Sequence, residues 1–241
     1  MVTLKIAIIF LMEQIRTPFS LIWTIMSPTV LFFFLHFNEI ELHYGDTAWL
    51  GKQISWFVGY ISFSVVLFNY CLYLVGRRES GFIATFVHNM DGRLLFIRSQ
   101  LIASLIMSIL YVFFFILVVL TGFQASPDYQ IVMIILKSIY INAFMMVSLT
   151  FMASFRVTFQ TASTIYSVLI TVCMVSGIVS LKYNEGIVYW INQVNPIAIY
   201  STILQSDQEL SLMTIFFYSI MLIISIISAL TFKTEPVWSS Q

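Results

Sequence analysis

Charge is what this chain of 241 residues has least of. Lysine, arginine, aspartate and glutamate together make up 9%, against 60% hydrophobic residues, where a soluble domain carries roughly 25% charged residues. Too few ionic groups remain to cover a surface facing water, and the mean hydropathy is +0.95, so the composition reads as an integral membrane protein. The charges present sum to zero, which gives no pointer to nucleic acid. Cysteine is nearly absent too: Cys71 and Cys173 both lie inside apolar runs, and neither suggests a disulfide framework or a metal site. The opening MVTLKIAIIFLMEQIRTPF has only a short apolar run with no small-residue cleavage site after it, so it does not read as a secretory signal.

Catalytic patterns are missing as well. His36, His43 and His88 sit at span ends or in a loop, without ligand partners at metal spacing. No carboxylate falls in the middle of an apolar run, so a proton relay or cation-coupled carrier lacks its usual parts. There is no serine elbow, no H-E-x-x-H and no pair of buried aspartates. The one lysine that follows a glycine, Lys52 after Gly51, is succeeded by Gln53, and Asp46 occupies the first glycine position of a phosphate-cradling loop. The chain has no nucleotide-binding motif of its own, and none for metal or another cofactor.

What is present is apolar length. A membrane helix takes about 20 mostly apolar residues, and runs of that kind occur near 20–37, 54–76, 100–123, 131–153, 161–181 and 210–232. The reading is an all-α integral membrane protein, one transmembrane domain over 1–241, with six transmembrane helices. Residues 1–18 read as an interfacial helix before Pro18. The uncharged run 186–206 differs: Asn192, Gln193 and Asn195-Pro196 stand at its centre, and broken backbone at membrane depth must be buried in protein or line water. It reads as a re-entrant or interfacial pair of short helices. Six spans put both termini on one side, with Lys5, Arg16, Arg77, Arg78, Arg93, Arg98, Arg156 and Lys233; the other side holds Lys52, Lys182 and most of the acids. The positive-inside bias places both termini in the cytoplasm. Lys137, roughly 10 Å into the fourth span at ~1.5 Å per residue, either snorkels outward or faces a pathway.

Three stretches carry functional candidates. Between the second and third spans, RRESGFIATF places Glu79, Phe82, Ile83 and Phe86 on one face of a short helix, and Asp91-Gly92 reads as a turn. Gly81 allows a sharp change of direction. This segment either lies in the headgroups with its phenylalanines in lipid, or docks into a groove of a soluble partner. Ser55, Gly59, Ser62, Asn69 and Tyr73 share a face of the second span, and Thr164, Ser167 and Thr171 share one in the fifth. Such stripes either line a route or let helices pack closely.

The order of these features resembles the membrane subunit of type-2 ABC exporters, over nearly the whole chain. A surface helix leads into IRTPFSLIWTIMSPTVLFF, with Trp23 and Pro28 placed as in many members. RRESGFIATF is similar to the family's R-E-x-G element at the start of a coupling helix (region 77–92), here Arg78, Glu79 and Gly81. FRVTFQTASTIYSVLITVCMVSG carries Gln160 and a late glycine, Gly177. YWINQVNPIAIYSTIL resembles the family's outer N-P element, Asn195-Pro196.

The resemblance implies a permease subunit in a bacterial cytoplasmic membrane. It would pair with a second permease, the same or related, and with two copies of a separate ABC ATPase that carries ATP and Mg. It assigns ATPase coupling to Arg78, Glu79, Gly81, Phe82 and Phe86, the translocation pathway to Ser55, Ser62, Asn69, Thr164, Ser167 and Thr171, and an outer gate to Asn195 and Pro196. The short outer loop 38–53 departs from members with a large ectodomain. A drug, peptide or lipid-like molecule is the implied substrate class. A stand-alone channel or carrier, or an immunity-type membrane binding protein, are the alternative readings.

Overall fold

The computed structural model describes residues 2–16, 18–83, 89–180, 185–205 and 212–232. Among them there is no strand. In chain order the helices are α1 (Val2–Ile15), α2 (Pro18–Leu35), α3 (Thr47–Glu79), α4 (Met90–Gly122), α5 (Tyr129–Ser154), α6 (Phe159–Ser180), α7 (Gly186–Val194), α8 (Pro196–Gln205) and α9 (Leu212–Leu230). Four of them, α3 to α6, are long and apolar enough to cross a membrane; 24–35 of α2 and 214–230 of α9 are shorter apolar stretches. With 33 residues each, α3 and α4 extend about 50 Å at ~1.5 Å per residue, well beyond a hydrocarbon core of about 30 Å.

Local chemistry sets where the helices start. Asp46 caps α3 by accepting the Trp49 N–H at 3.0 Å, and that bond, followed by His43, holds its carboxyl below the usual range. Asp128 caps α5 through the Gln130 N–H and also accepts the Thr47 hydroxyl at 2.8 Å, so one carboxylate ties the starts of α3 and α5 together. Asn89 caps α4 by accepting the Gly92 N–H at 2.8 Å. Asp91-Gly92 therefore lies in the first helical turn of α4 and is not a turn between elements. The capping side chain two residues earlier supplies the break, and an acid in the first turn suits the positive end of the helix dipole.

The start of α3, the end of α4 and the start of α5 share one end of the bundle, called here the Thr47 end; the end of α3, the start of α4, the end of α5 and the start of α6 share the other, the Glu79 end. At the Thr47 end, Phe32 of α2 meets Phe57, Phe115 and Phe123 with ring centroids 5.0, 5.7 and 6.0 Å away. Along α5, Ser225 of α9 donates to the Ser148 carbonyl and accepts the Phe151 N–H. At the Glu79 end, α1 lies across α3 and α4: Phe10 sits edge-on to Phe96 at 5.5 Å and near Tyr73 at 5.7 Å, while Ile9 on its far side is 63% exposed.

Residues 186–205 form two short helices that meet at Asn195. α8 runs antiparallel to the first half of α3, with Ile197 and Tyr200 against Gly59 and Gln205 against Lys52. Gly59 permits this approach, since a Cβ there would fall 2.8 Å from Tyr200 Cβ and 2.9 Å from the Ile197 carbonyl oxygen. Midway along α3, Val65–Leu72 is a π-helical segment, a widening of the turn that frees backbone groups from the regular ladder. α4 receives them: Gln100 Nε2 and Ser104 Oγ donate to the Asn69 carbonyl at 2.7 and 3.0 Å.

Candidate functional site

The Glu79 end gathers most of the charged chemistry. The Glu13 carboxylate of α1 accepts the Tyr73 hydroxyl at 2.7 Å and pairs with the Arg77 guanidinium, and Arg77 also donates to the Tyr73 oxygen at 2.8 Å. The same guanidinium carbon lies 4.7 Å from the centre of the Phe82 ring, a cation–π distance. Four side chains from α1, α3 and the segment after α3 thus form one knot. Phe82 is half-buried within it and Ile83 is fully buried, so this part of the predicted handle does not stand free in water. Phe86 lies outside the described residues.

Arg78 points the other way. It is 1% exposed, donates from Nη1 to the Ala153 carbonyl at 3.1 Å and from Nη2 to the Val157 carbonyl at 2.9 Å, and has the Glu79 carboxylate 3.7 Å from Nε. The guanidinium fork therefore closes the C-terminal end of α5 and the corner into α6, where a cation is favoured by unpaired carbonyls and the helix dipole. Gly81 adopts φ +73°, a left-handed conformation that costs a side chain strain, and the chain turns there. Arg78, Glu79, Gly81 and Phe82 are thus brought together, with α1 on one side and the α5–α6 corner on the other.

The two predicted polar stripes part company. Ser55 and Ser62 are fully buried; Ser55 Oγ donates to the Gly51 carbonyl at 2.7 Å, and Ser62 Oγ has no hydrogen-bond partner. With Gly59 under α8, this side of α3 is turned into the protein. Asn69 is half-buried and reaches the Tyr111 hydroxyl at 3.4 Å. Thr164, Ser167 and Thr171 are instead exposed, each donating its hydroxyl to the carbonyl four residues earlier. They lie in a shallow depression along the outside of α6 with Ser163, Val168 and Val172.

Thr171 also borders a second groove of about 510 Å³ between α2, α3 and α6, lined by Met26, Val30, Phe34, Tyr60 and Met174. Here α3 contributes the face opposite to the one the serine and glycine pattern singled out. Tyr60 and Trp56 stack one turn apart with centroids at 6.4 Å. Trp56 seats against Gly177 of α6, where a Cβ would lie 2.9 Å from the indole nitrogen. The signal for this pair was available in the sequence as two aromatic residues at i and i+4, but small and weakly polar residues drew attention to the other face.

Against the second half of α6, the Asn195 side chain holds the corner between α7 and α8. Its Nδ2 donates to the Cys173 carbonyl at 2.8 Å and to Ser176 Oγ at 3.1 Å, and its Oδ1 accepts the Ile197 N–H at 3.0 Å. Pro196 opens α8, where a missing N–H is harmless. Among the described residues no group of histidine, cysteine or carboxylate side chains could hold a metal ion. No protein-family model matches the chain.

Proposed function

We propose that this chain is the permease subunit of a type-2 ABC exporter in a bacterial cytoplasmic membrane, with six spans (α2 to α6 and α9), α1 on the inner surface and both termini cytoplasmic. The observation that carries the reading is the junction at the Glu79 end. The last turn of α3 is clamped to α1 through Arg77 and Glu13, and to the α5–α6 corner through Arg78 and the Ala153 and Val157 carbonyls, and Phe82 of the following segment packs on Arg77. A force applied there by a soluble ATPase would reach α6 directly. That helix is the least buried of the four long ones, 28% buried, and carries the exposed Thr164, Ser167 and Thr171. In this reading two subunits face one another across α6 and the α2 groove, and substrate passes between them. Its lining of Met26, Phe34, Tyr60 and Thr171 suits a drug-like or amphipathic molecule.

Affinity purification of the tagged protein from its native membrane tests this. Co-purification of an ABC ATPase, lost or uncoupled in the Phe82→Ala, Phe86→Ala double variant, is the expected result. A stand-alone channel or a binding-only protein would purify without an ATPase, and its activity would be indifferent to the double variant.

A further inference from the structure

At the Thr47 end, the chain joining α2 to α3 sets two histidines against one tryptophan. The His43 ring lies parallel to the Trp49 indole with centroids 4.2 Å apart, and the His36 ring stands perpendicular to it at 5.2 Å. Each histidine also meets an acid three positions later. His36 Nδ1 lies 2.6 Å from Glu39 Oε2, and His43 Nδ1 lies 3.2 Å from Asp46 Oδ2. The group closes this end of the bundle: His36 packs on Phe32 at 4.9 Å, Trp49 packs on Phe123 at 5.7 Å, and the Gly45 N–H donates to the Phe123 carbonyl at 3.1 Å.

These pairings fix where a proton enters. An ionised carboxylate only accepts, so Nδ1 of each histidine carries the hydrogen. In the neutral ring Nε2 is then bare, and neither Nε2 has a hydrogen-bond partner among the described residues. Histidine ordinarily changes charge between about pH 5 and 8. A proton taken up at Nε2 turns each hydrogen bond into an ion pair, and at His43 it lays a cation over the indole face, where attraction operates within about 6 Å. The Trp49 N–H, followed by His43, holds the Asp46 carboxyl below the usual range, so this acid stays charged while a histidine titrates. Few other charges intervene. Glu41 is exposed on the same loop, while α2 and the last three turns of α4 carry none. From α3 and α5, Lys52 and Lys137 line the cavity beside α8, and Asp128 is engaged by the Thr47 hydroxyl and the Gln130 N–H.

We infer that His36 and His43, with Glu39, Asp46 and Trp49, form a proton-operated clasp: proton uptake tightens the chain between α2 and α3, and proton loss slackens it. The added attraction is present at the acid end of the histidine range and is lost as the pH rises through it. Both acids are close to half exposed, 46% and 45%, so solvent keeps the effect to a few-fold. α2 and α3 are walls of the groove lined by Met26, Phe34 and Tyr60, and the clasp sets how firmly those walls are joined at the Thr47 end. The inference is independent of the exporter reading. It is tested by hydrogen exchange at residues 39–50 of the full chain purified in detergent, at about pH 5 and about pH 8 and corrected for intrinsic rates. Protection should be about threefold or more greater at the acid pH, and the ratio should fall close to unity in His36→Gln with His43→Gln. His43→Gln alone, at a partly exposed loop position, should give an intermediate ratio and covers the case in which the double variant does not fold. Trp49 emission, taken as wild type minus Trp49→Phe, should fall on acidification through the same range, because a stacked imidazolium quenches an indole, and should fall less in His43→Gln. A ratio of protection unchanged in His43→Gln, or equal acid quenching of Trp49 in that variant, overturns the clasp.

Discussion

The Asn195 side-chain amide donates to the Cys173 main-chain carbonyl across 22 positions of sequence, at 2.8 Å and with Asn195 3% exposed. One side chain thereby fixes the corner of two short helices to the second half of α6. Asn195→Leu removes both donated bonds and the acceptor for the Ile197 N–H, leaving buried polar groups unpaired at about 1–3 kcal/mol each. Asn195→Asp keeps the acceptor but sets a second oxygen against the Cys173 carbonyl in a buried site, a further cost. Thermal unfolding in detergent should place both variants below wild type; midpoints equal to wild type would show that the corner is held by something else.

Arg78 should behave as a buried clamp. Arg78→Met strands the Ala153 and Val157 carbonyls, with an expected loss of about 1.5–3 kcal/mol, the range for hydrogen bonds from a charged donor. Arg78→Lys keeps the charge but not the two-pronged geometry and should recover only part of it. Hydrogen exchange at residues 153–157 should rise in Arg78→Met. If protection there is unchanged, the guanidinium does not hold the corner.

Gly59 and Gly51 make a matched pair on α3. A Cβ at Gly59 meets Tyr200 Cβ at 2.8 Å, whereas one at Gly51 meets nothing nearer than Gln130 Oε1 at 3.6 Å. Gly59→Ala should therefore cost about 1–3 kcal/mol by overpacking, while Gly51→Ala should fall close to wild type or above it, since alanine is the better helix former. Similar unfolding midpoints for the two variants would mean that α8 does not seat on α3 at Gly59.

The serine stripes separate by the same kind of comparison. Ser62→Leu inserts bulk at a fully buried position and should lower the yield of folded protein. Ser167→Leu and Thr171→Leu alter exposed positions and should leave the unfolding midpoint within about 0.5 kcal/mol of wild type, as surface substitutions usually do, while changing transport or subunit association. Destabilisation by the α6 changes equal to that of Ser62→Leu would place α6 inside the fold.

In the π-helical segment, Gln100→Leu with Ser104→Ala leaves the Asn69 carbonyl without its two donors. The double variant should lose more stability than the two single changes added together, because either donor alone still satisfies the carbonyl. Strict additivity in the three unfolding midpoints would rule out that sharing.

The membrane character of the chain and its helical elements were legible in the sequence, because hydropathy and turn chemistry are local. Scarce charge excludes a water-covered domain, apolar length makes the four long helices, Asn195-Pro196 marks the corner between α7 and α8, and Gly81 marks the turn after α3. Even there a local signal misled: Asp91-Gly92 suggests a turn, yet Asn89 two residues earlier begins the helix. What only the tertiary structure decided is which face each helix turns to its neighbours. Ser55, Gly59 and Ser62 form a stripe as fit for lining a path as for close packing, and α8, more than a hundred residues later, covers it at Gly59. Arg78, beside Arg77, is drawn inward by the Ala153 and Val157 carbonyls at the α5–α6 corner, while Arg77 turns to Glu13. A period of 3.6 residues states which side chains share a face; in a chain apolar on every side, only contacts between distant segments settle what that face meets.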